Sequence, residues 1–145
     1  MDIPTGFQPL FRTSPVLDLI GPLHSHGAGE SLVIGMRVEA KHCNGRGTVH
    51  GGMLATLADV ALGYATAFSS DPPLGLVTAS LNMDFAGSAR IGEWLETRVE
   101  IQKKGSRLAF ANCTILAGEQ HVAHASAVFM VAGSLPPAAK IGKDE

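Results

Sequence analysis

An α+β fold, with one antiparallel sheet wrapped around a single long central helix, is what this 145-residue sequence predicts. Three observations lead there. Residues 44–68, NGRGTVHGGMLATLADVALGYATAF, hold a long apolar run in which Leu54, Leu57, Ala58, Ala61, Ala65 and Phe68 recur at helical spacing. Four strand patterns follow that run, and no second helix pattern lies among them. With 46% hydrophobic and 17% charged residues the chain can build a real core, and its length suits one domain spanning residues 1–145.

Taken in order, Pro4, Pro9 and Pro15 with Phe7, Leu10 and Phe11 between them make residues 1–15 an N-terminal extension, packed on the domain as a short helix or turn. Val16–Leu23 reads as a short strand, and residues 24–29, HSHGAG, as a turn by composition. In Ser31–Glu39, Leu32, Ile34, Met36 and Val38 alternate with Arg37 and Glu39, the pattern of a half-buried strand. Residues 40–48, rich in Asn and Gly, lead into the central helix. Met53, Val60, Leu62 and Tyr64 make its second side apolar too, so the helix is expected to be buried nearly all round. Ser69–Pro73 ends it, because proline cannot continue a helix.

Strict alternation in Val77–Phe85 puts Val77, Ala79, Leu81, Met83 and Phe85 on one face and Thr78, Ser80, Asn82 and Asp84 on the other. Glu93–Gln102 is expected to bury Leu95, Thr97, Val99 and Ile101. Lys103–Arg107 is a tight hairpin, with Gly105 expected at a positive-φ position. Leu108–Leu116 and Gln120–Val131 pair through residues 117–119. Their alanines (Ala109, Ala111, Ala123, Ala125 and Ala127) predict a close-packed face against the helix. Residues 133–145, with Pro136-Pro137 and terminal charges, read as a loose tail.

Charge and composition exclude several classes. A net charge of −2 gives no general attraction to nucleic acid or to a membrane surface. Asp59 and several glycines interrupt the longest apolar run before it reaches transmembrane length. Met1-Asp2-Ile3-Pro4 lacks a basic stretch and an apolar stretch, so a cytoplasmic location is expected, with Cys43 and Cys113 as free thiols. His24/His26 and His121/His124 have no acidic or Cys ligand close by, so no metal is expected.

The chemistry concentrates in the helix. Asp59 is its only charge, and no Lys or Arg occurs between Arg46 and Arg90 to pair with it. A carboxylate in an apolar helix is costly unless compensated, so Asp59 is either hydrogen-bonded by a neighbouring loop or kept for reaction. Gly51 and Gly52 sit where the helix should start, and the amides there are open to a ligand or a developing oxyanion. Gly51 and Asp59 are eight residues apart, about 12 Å along a helix axis. Both can act on one reacting carbonyl only if a second chain contributes, as when two such helices run antiparallel across a two-fold axis.

Asn44, then His50-Gly51-Gly52, then Asp59 resembles the signature of hotdog-fold acyl-CoA thioesterases of the phenylacetic-acid-degradation (PaaI-like) type. The resemblance runs roughly from Val33 to Val131. It takes in residues 77–83, the turn at 89–93 and the hairpin at 103–107. It implies hydrolysis of acyl-CoA to free acid and CoA without cofactor or metal, at a site shared between chains of a homodimer or homotetramer. Asp59 would be nucleophile or general base, and the Gly51 N–H would polarise the carbonyl. Asn44 and His50 would orient the thioester or simply shape the loop. Thr78 aligns with the hydroxyl that holds the attacking water, with Ser80 one register slip away. Lys103, Lys104 and Arg107, with Arg90 as a neighbour, would meet the CoA phosphates or form an ordinary solvated hairpin. A hotdog hydratase or dehydratase and a non-catalytic acyl-CoA-binding module are the alternatives.

Overall fold

A computed structural model describes residues 2–137. The elements are β1 (Gln8–Pro9), α1 (Pro15–Ile20), β2 (His24–His26), β3 (Val33–Arg37), α2 (Gly51–Ala67), β4 (Leu74–Phe85), β5 (Trp94–Lys104), β6 (Leu108–Ala117) and β7 (Gln120–Ser134), with single 3-10 turns at Gly29–Ser31 and Ala40–His42. One antiparallel seven-stranded sheet runs in the order β1-β2-β3-β5-β6-β7-β4 and wraps around α2. This is the architecture the helix and strand patterns predict.

The seam between helix and sheet is built from small residues. Ala109, Ala111, Ala123, Ala125 and Ala127 are all buried on the strands, and Ala58, Ala61 and Ala65 are buried on α2. Short side chains on both sides bring the backbones close, and Leu57, Leu62, Ile115 and Phe129 fill the remaining space. Leu32, Ile34, Met36 and Val38 are buried as their alternation requires.

The entry to α2 is fixed from two sides. The Val49 N–H donates to the Ala89 carbonyl and the His50 N–H to the His42 carbonyl, at 2.9 and 2.8 Å. His42 is itself buried: its Nδ1 accepts from the Glu39 N–H, and its Nε2 lies 2.6 Å from the Ile20 carbonyl oxygen. The helix therefore begins at Gly51 from a loop that is tied down.

Five expectations need correction. Residues 15–20 form a helix and not a strand, because Ser14 caps it by accepting from the Leu17 N–H and Pro15 occupies the first turn. His24–His26 is strand β2, paired with β3, and not a turn. Gly105 does not adopt a positive φ; a Cβ there would stand 2.9 Å from the Leu108 carbonyl oxygen, so close approach requires the glycine. The helix is not buried all round: Leu54, Leu57, Ala58, Ala61, Leu62 and Ala65 form the buried stripe, while Met53, Val60 and Tyr64 are only half-buried. Finally, β7 continues to Ser134 and the Leu135 N–H donates to the Pro73 carbonyl, so residues 133–135 are held in place. Residues 138–145 of the expected tail lie outside the described residues.

The close helix–sheet seam makes a stability prediction. Ala125→Val adds two methyl groups where nothing is exposed and should cost about 1–3 kcal/mol. Urea denaturation at fixed protein concentration reads this as a lower midpoint; an unchanged midpoint would mean that the seam is looser than described.

Candidate active site

The N-terminal end of α2 is set by His50. Its extended backbone makes it the cap residue, and its Nδ1 accepts the Gly52 N–H at 2.9 Å. In the neutral ring the proton then sits on Nε2. Met53 and Leu54 donate to the His50 carbonyl, which leaves the Gly51 N–H without an acceptor among the described residues. Asn44 works within the loop: its Oδ1 accepts from the Arg46 and Thr48 N–H groups and from the Thr48 hydroxyl. Of the two roles open for Asn44 and His50, the shaping one is visible in these bonds. The ring of Phe85 lies over Gly51, 3.3 Å from where a Cβ would stand.

Asp59 lies two turns further along. It is half-buried and not sealed in the core, and it is not without a partner: the Thr78 hydroxyl donates to its Oδ1 at 2.8 Å. No ion pair reaches it among the described residues. A half-open edge of the helix and one hydroxyl donor make the carboxylate tolerable there.

Thr78 reaches Asp59 because β4 breaks its own alternation. Thr78 pairs with Phe129 and Ser80 with Val128, so Ala79 is an extra residue, a β-bulge. Before the bulge Leu76 and Thr78 face α2; after it Leu81 and Met83 do. Thr78 therefore does not share a face with Ser80 and Asn82, as strict alternation had it. Val77 is turned outward, 57% exposed.

Asp59 and Thr78 both open onto a cavity of about 220 Å³, which Gly51 does not line. The unbroken helix holds Gly51 and Asp59 about 12 Å apart along its axis. One chain thus carries the amide and the carboxylate at separate places.

The basic residues also divide. Arg90 forms a bridge with Thr48 beside the N-terminal end of α2. The hairpin after β5 lies at the other end, where the Lys104 Nζ donates to the Ser69 carbonyl at 3.2 Å. A 17-residue helix, about 25 Å, separates them, so Arg90 is not a neighbour of Lys103, Lys104 and Arg107 within one chain. All four side chains are exposed.

Neither thiol belongs to this site. Burial pushes Cys113 up to about 12, which keeps it protonated and inert at ordinary pH. Cys43 is in the loop before α2, its thiol 3.4 Å from the Glu39 carbonyl. Among the described residues no three His, Cys, Asp or Glu side chains are grouped to hold a metal, and no helix is long and apolar enough to cross a membrane. Sequence reasoning missed the N-terminal segment as part of the site: Ser14, Val16 and Leu17 line the cavity with Asp59. The signal was there in Ser14-Pro15, a helix start.

Comparison with known proteins gives a consistent result. Residues 46–124 match the thioesterase superfamily. A Pseudomonas aeruginosa protein that carries a provisional esterase name is 54% identical over 130 residues, 89% of this chain and 97% of that protein. Acyl-coenzyme A thioesterase 13 of Mus musculus is 38% identical over 85 residues, 59% of this chain and 60% of that protein. Among solved structures, the E. coli PaaI protein from the phenylacetic acid degradation operon superposes with a TM-score of 0.77, covering 86% of this chain and 89% of its own. Its 22% identity makes that a likeness of fold.

The cap at His50 can be checked directly. His50→Ala removes the acceptor of the Gly52 N–H and should lower stability by about 0.5–2 kcal/mol. His50→Asn, which can cap in the same place, should recover most of that in urea melts. No loss in the alanine variant would remove the histidine from the capping role.

Proposed function

This chain belongs to the thioesterase superfamily and is a thioester hydrolase, and we propose that its substrate is an acyl-CoA, cleaved to the free acid and CoA at a site shared between two chains. The observation that carries the reading is the Thr78–Asp59 pair at the mouth of an apolar cavity, with an unused Gly51 amide on the same helix. Mouse acyl-coenzyme A thioesterase 13 lends the acyl-CoA class.

In this reading Thr78 holds Oδ1 of Asp59, leaving Oδ2 to act on a water that the Thr78 oxygen also contacts. Asp59 takes a proton from that water as its oxygen bonds to the thioester carbon. The negative charge that develops on the carbonyl oxygen meets the Gly51 N–H of the partner chain. Collapse of the tetrahedral centre breaks the C–S bond, and the departing thiolate takes the proton back from Asp59. Direct attack by the carboxylate uses the same geometry. The Nε2–H of His50 is available to the thioester oxygen or to the CoA arm.

Two surfaces support the assembly. β4 is an edge strand of 12 residues whose outer side has no partner strand among the described residues, and a long open edge invites a second copy. β4 carries both Thr78 and Phe85, so pairing there puts the site on the seam. Two α2 helices running antiparallel with Gly51 beside Asp59 would also bring Arg90 of one chain toward the Lys103-Lys104-Arg107 hairpin of the other. Those four cations then form one rim for the CoA phosphates. On the outer face of the sheet, Leu108, Met130 and Val77 lie in one row and are all exposed, a second surface that would make a tetramer from two dimers.

Release of free thiol from a panel of acyl-CoAs tests the reading. Asp59→Asn should lower kcat by about 10²–10⁴-fold while the melting temperature stays at or above that of the parent. A variant that unfolds, with its folded fraction retaining full specific activity, would make Asp59 structural.

A further inference from the structure

One side of α2, between the edge of the sheet at β4 and β7 and the N-terminal segment, is covered by that segment. Asp59, Val60, Gly63, Tyr64 and Ala67 lie on one helical stripe, spaced i, i+1, i+4, i+5 and i+8. Opposite them stand Val16 and Leu17 of α1, with Leu76 and Phe129 of the sheet as the floor. Phe11 packs against Tyr64 and edge-on against Phe68, with ring centroids 5.9 and 4.9 Å apart, and the Arg12 guanidinium donates to the Pro136 carbonyl. The segment is thereby fixed over the helix, and the space left beneath it is about 220 Å³.

Gly63 has no packing reason to be glycine. Its φ is not positive, and a Cβ there would meet only the Phe129 Cε1, at an ordinary contact of 3.9 Å. A helix interior disfavours glycine. What the missing side chain leaves is cavity volume. Resting on the thioesterase reading above, we propose that this cavity receives the acyl group and that Gly63 sets the length it accepts. Gly63 follows Asp59 by four residues, about 6 Å along the axis. An acyl chain must therefore pass Gly63 soon after it leaves the scissile carbonyl. An apolar cavity of about 150 Å³ holds benzene, so on that scale the present one holds an apolar group of about nine non-hydrogen atoms.

Acyl-CoAs from two to twelve carbons, assayed with the parent protein, Gly63→Ala and Gly63→Leu, test the assignment. The parent should be most active with medium-length chains. Gly63→Leu should shift the optimum to shorter chains and lower the octanoyl-to-butanoyl ratio of kcat/KM by at least about tenfold, the effect of one excluded methylene. Gly63→Ala should fall between them and fold at least as well as the parent. An unchanged ratio in Gly63→Leu, or an equal loss at every length, would overturn the proposal. Absence of thiol release from every thioester by the parent would instead overturn the thioesterase reading. In that case octanoate binding by calorimetry decides the pocket: at least tenfold weaker binding by Gly63→Leu supports it, and equal binding or none to the parent refutes it.

Discussion

The rigidity of α2 is the constraint on which the rest depends. A single helix from Gly51 to Ala67 fixes the distance between its first amide and its one carboxylate. No side-chain rotation can close about 12 Å of axial separation. The capped end at His50, the tied loop from His42 to Val49 and the alanine-lined seam with the sheet all hold that helix in one position. A fold this firm offers its amide and its carboxylate to two different places, and in the proposed reading a two-fold partner would turn that separation into a pair of complete sites.

The sheet contributes through a local irregularity. Without the extra residue at Ala79, Thr78 would face away from the helix and Asp59 would lose its hydroxyl donor. The same bulge turns Val77 outward, where it joins Met130 and Leu108. One inserted residue therefore serves both the site and the outer surface of an edge strand. Bulges often re-aim a side chain beside a site, at the cost of one lost ladder position.

What could be read in the sequence was what periodicity carries. The buried stripe of α2, the alternation through Leu32–Val38 and the alanines of β6 and β7 each repeat long enough to identify the element and its inner face. The residues at issue in the site, Gly51 and Asp59, stood out by their type and spacing. A bulge leaves no mark in a strand's composition, so Thr78 was placed on the wrong face. α1 was hidden because its apolar run, Val-Leu-Asp-Leu-Ile, also suits a strand; the deciding signal was the cap at Ser14 with Pro15 behind it. β2 is three residues long and polar, and only its pairing with β3 makes it a strand. Arg90 and Lys103 are close in sequence, yet β5 carries the chain from one end of α2 to the other between them.

The central claim, that amide and carboxylate come from different chains, has one direct test. Gly51→Val places a side chain against Phe85 and blocks the amide, while Asp59→Ala removes the carboxylate. Each variant alone should be inactive. Heterodimers formed by co-refolding the two should contain one site with both groups intact and recover about half of the parent activity per dimer. No recovery in demonstrated heterodimers would contradict the account and place the whole site within a single chain.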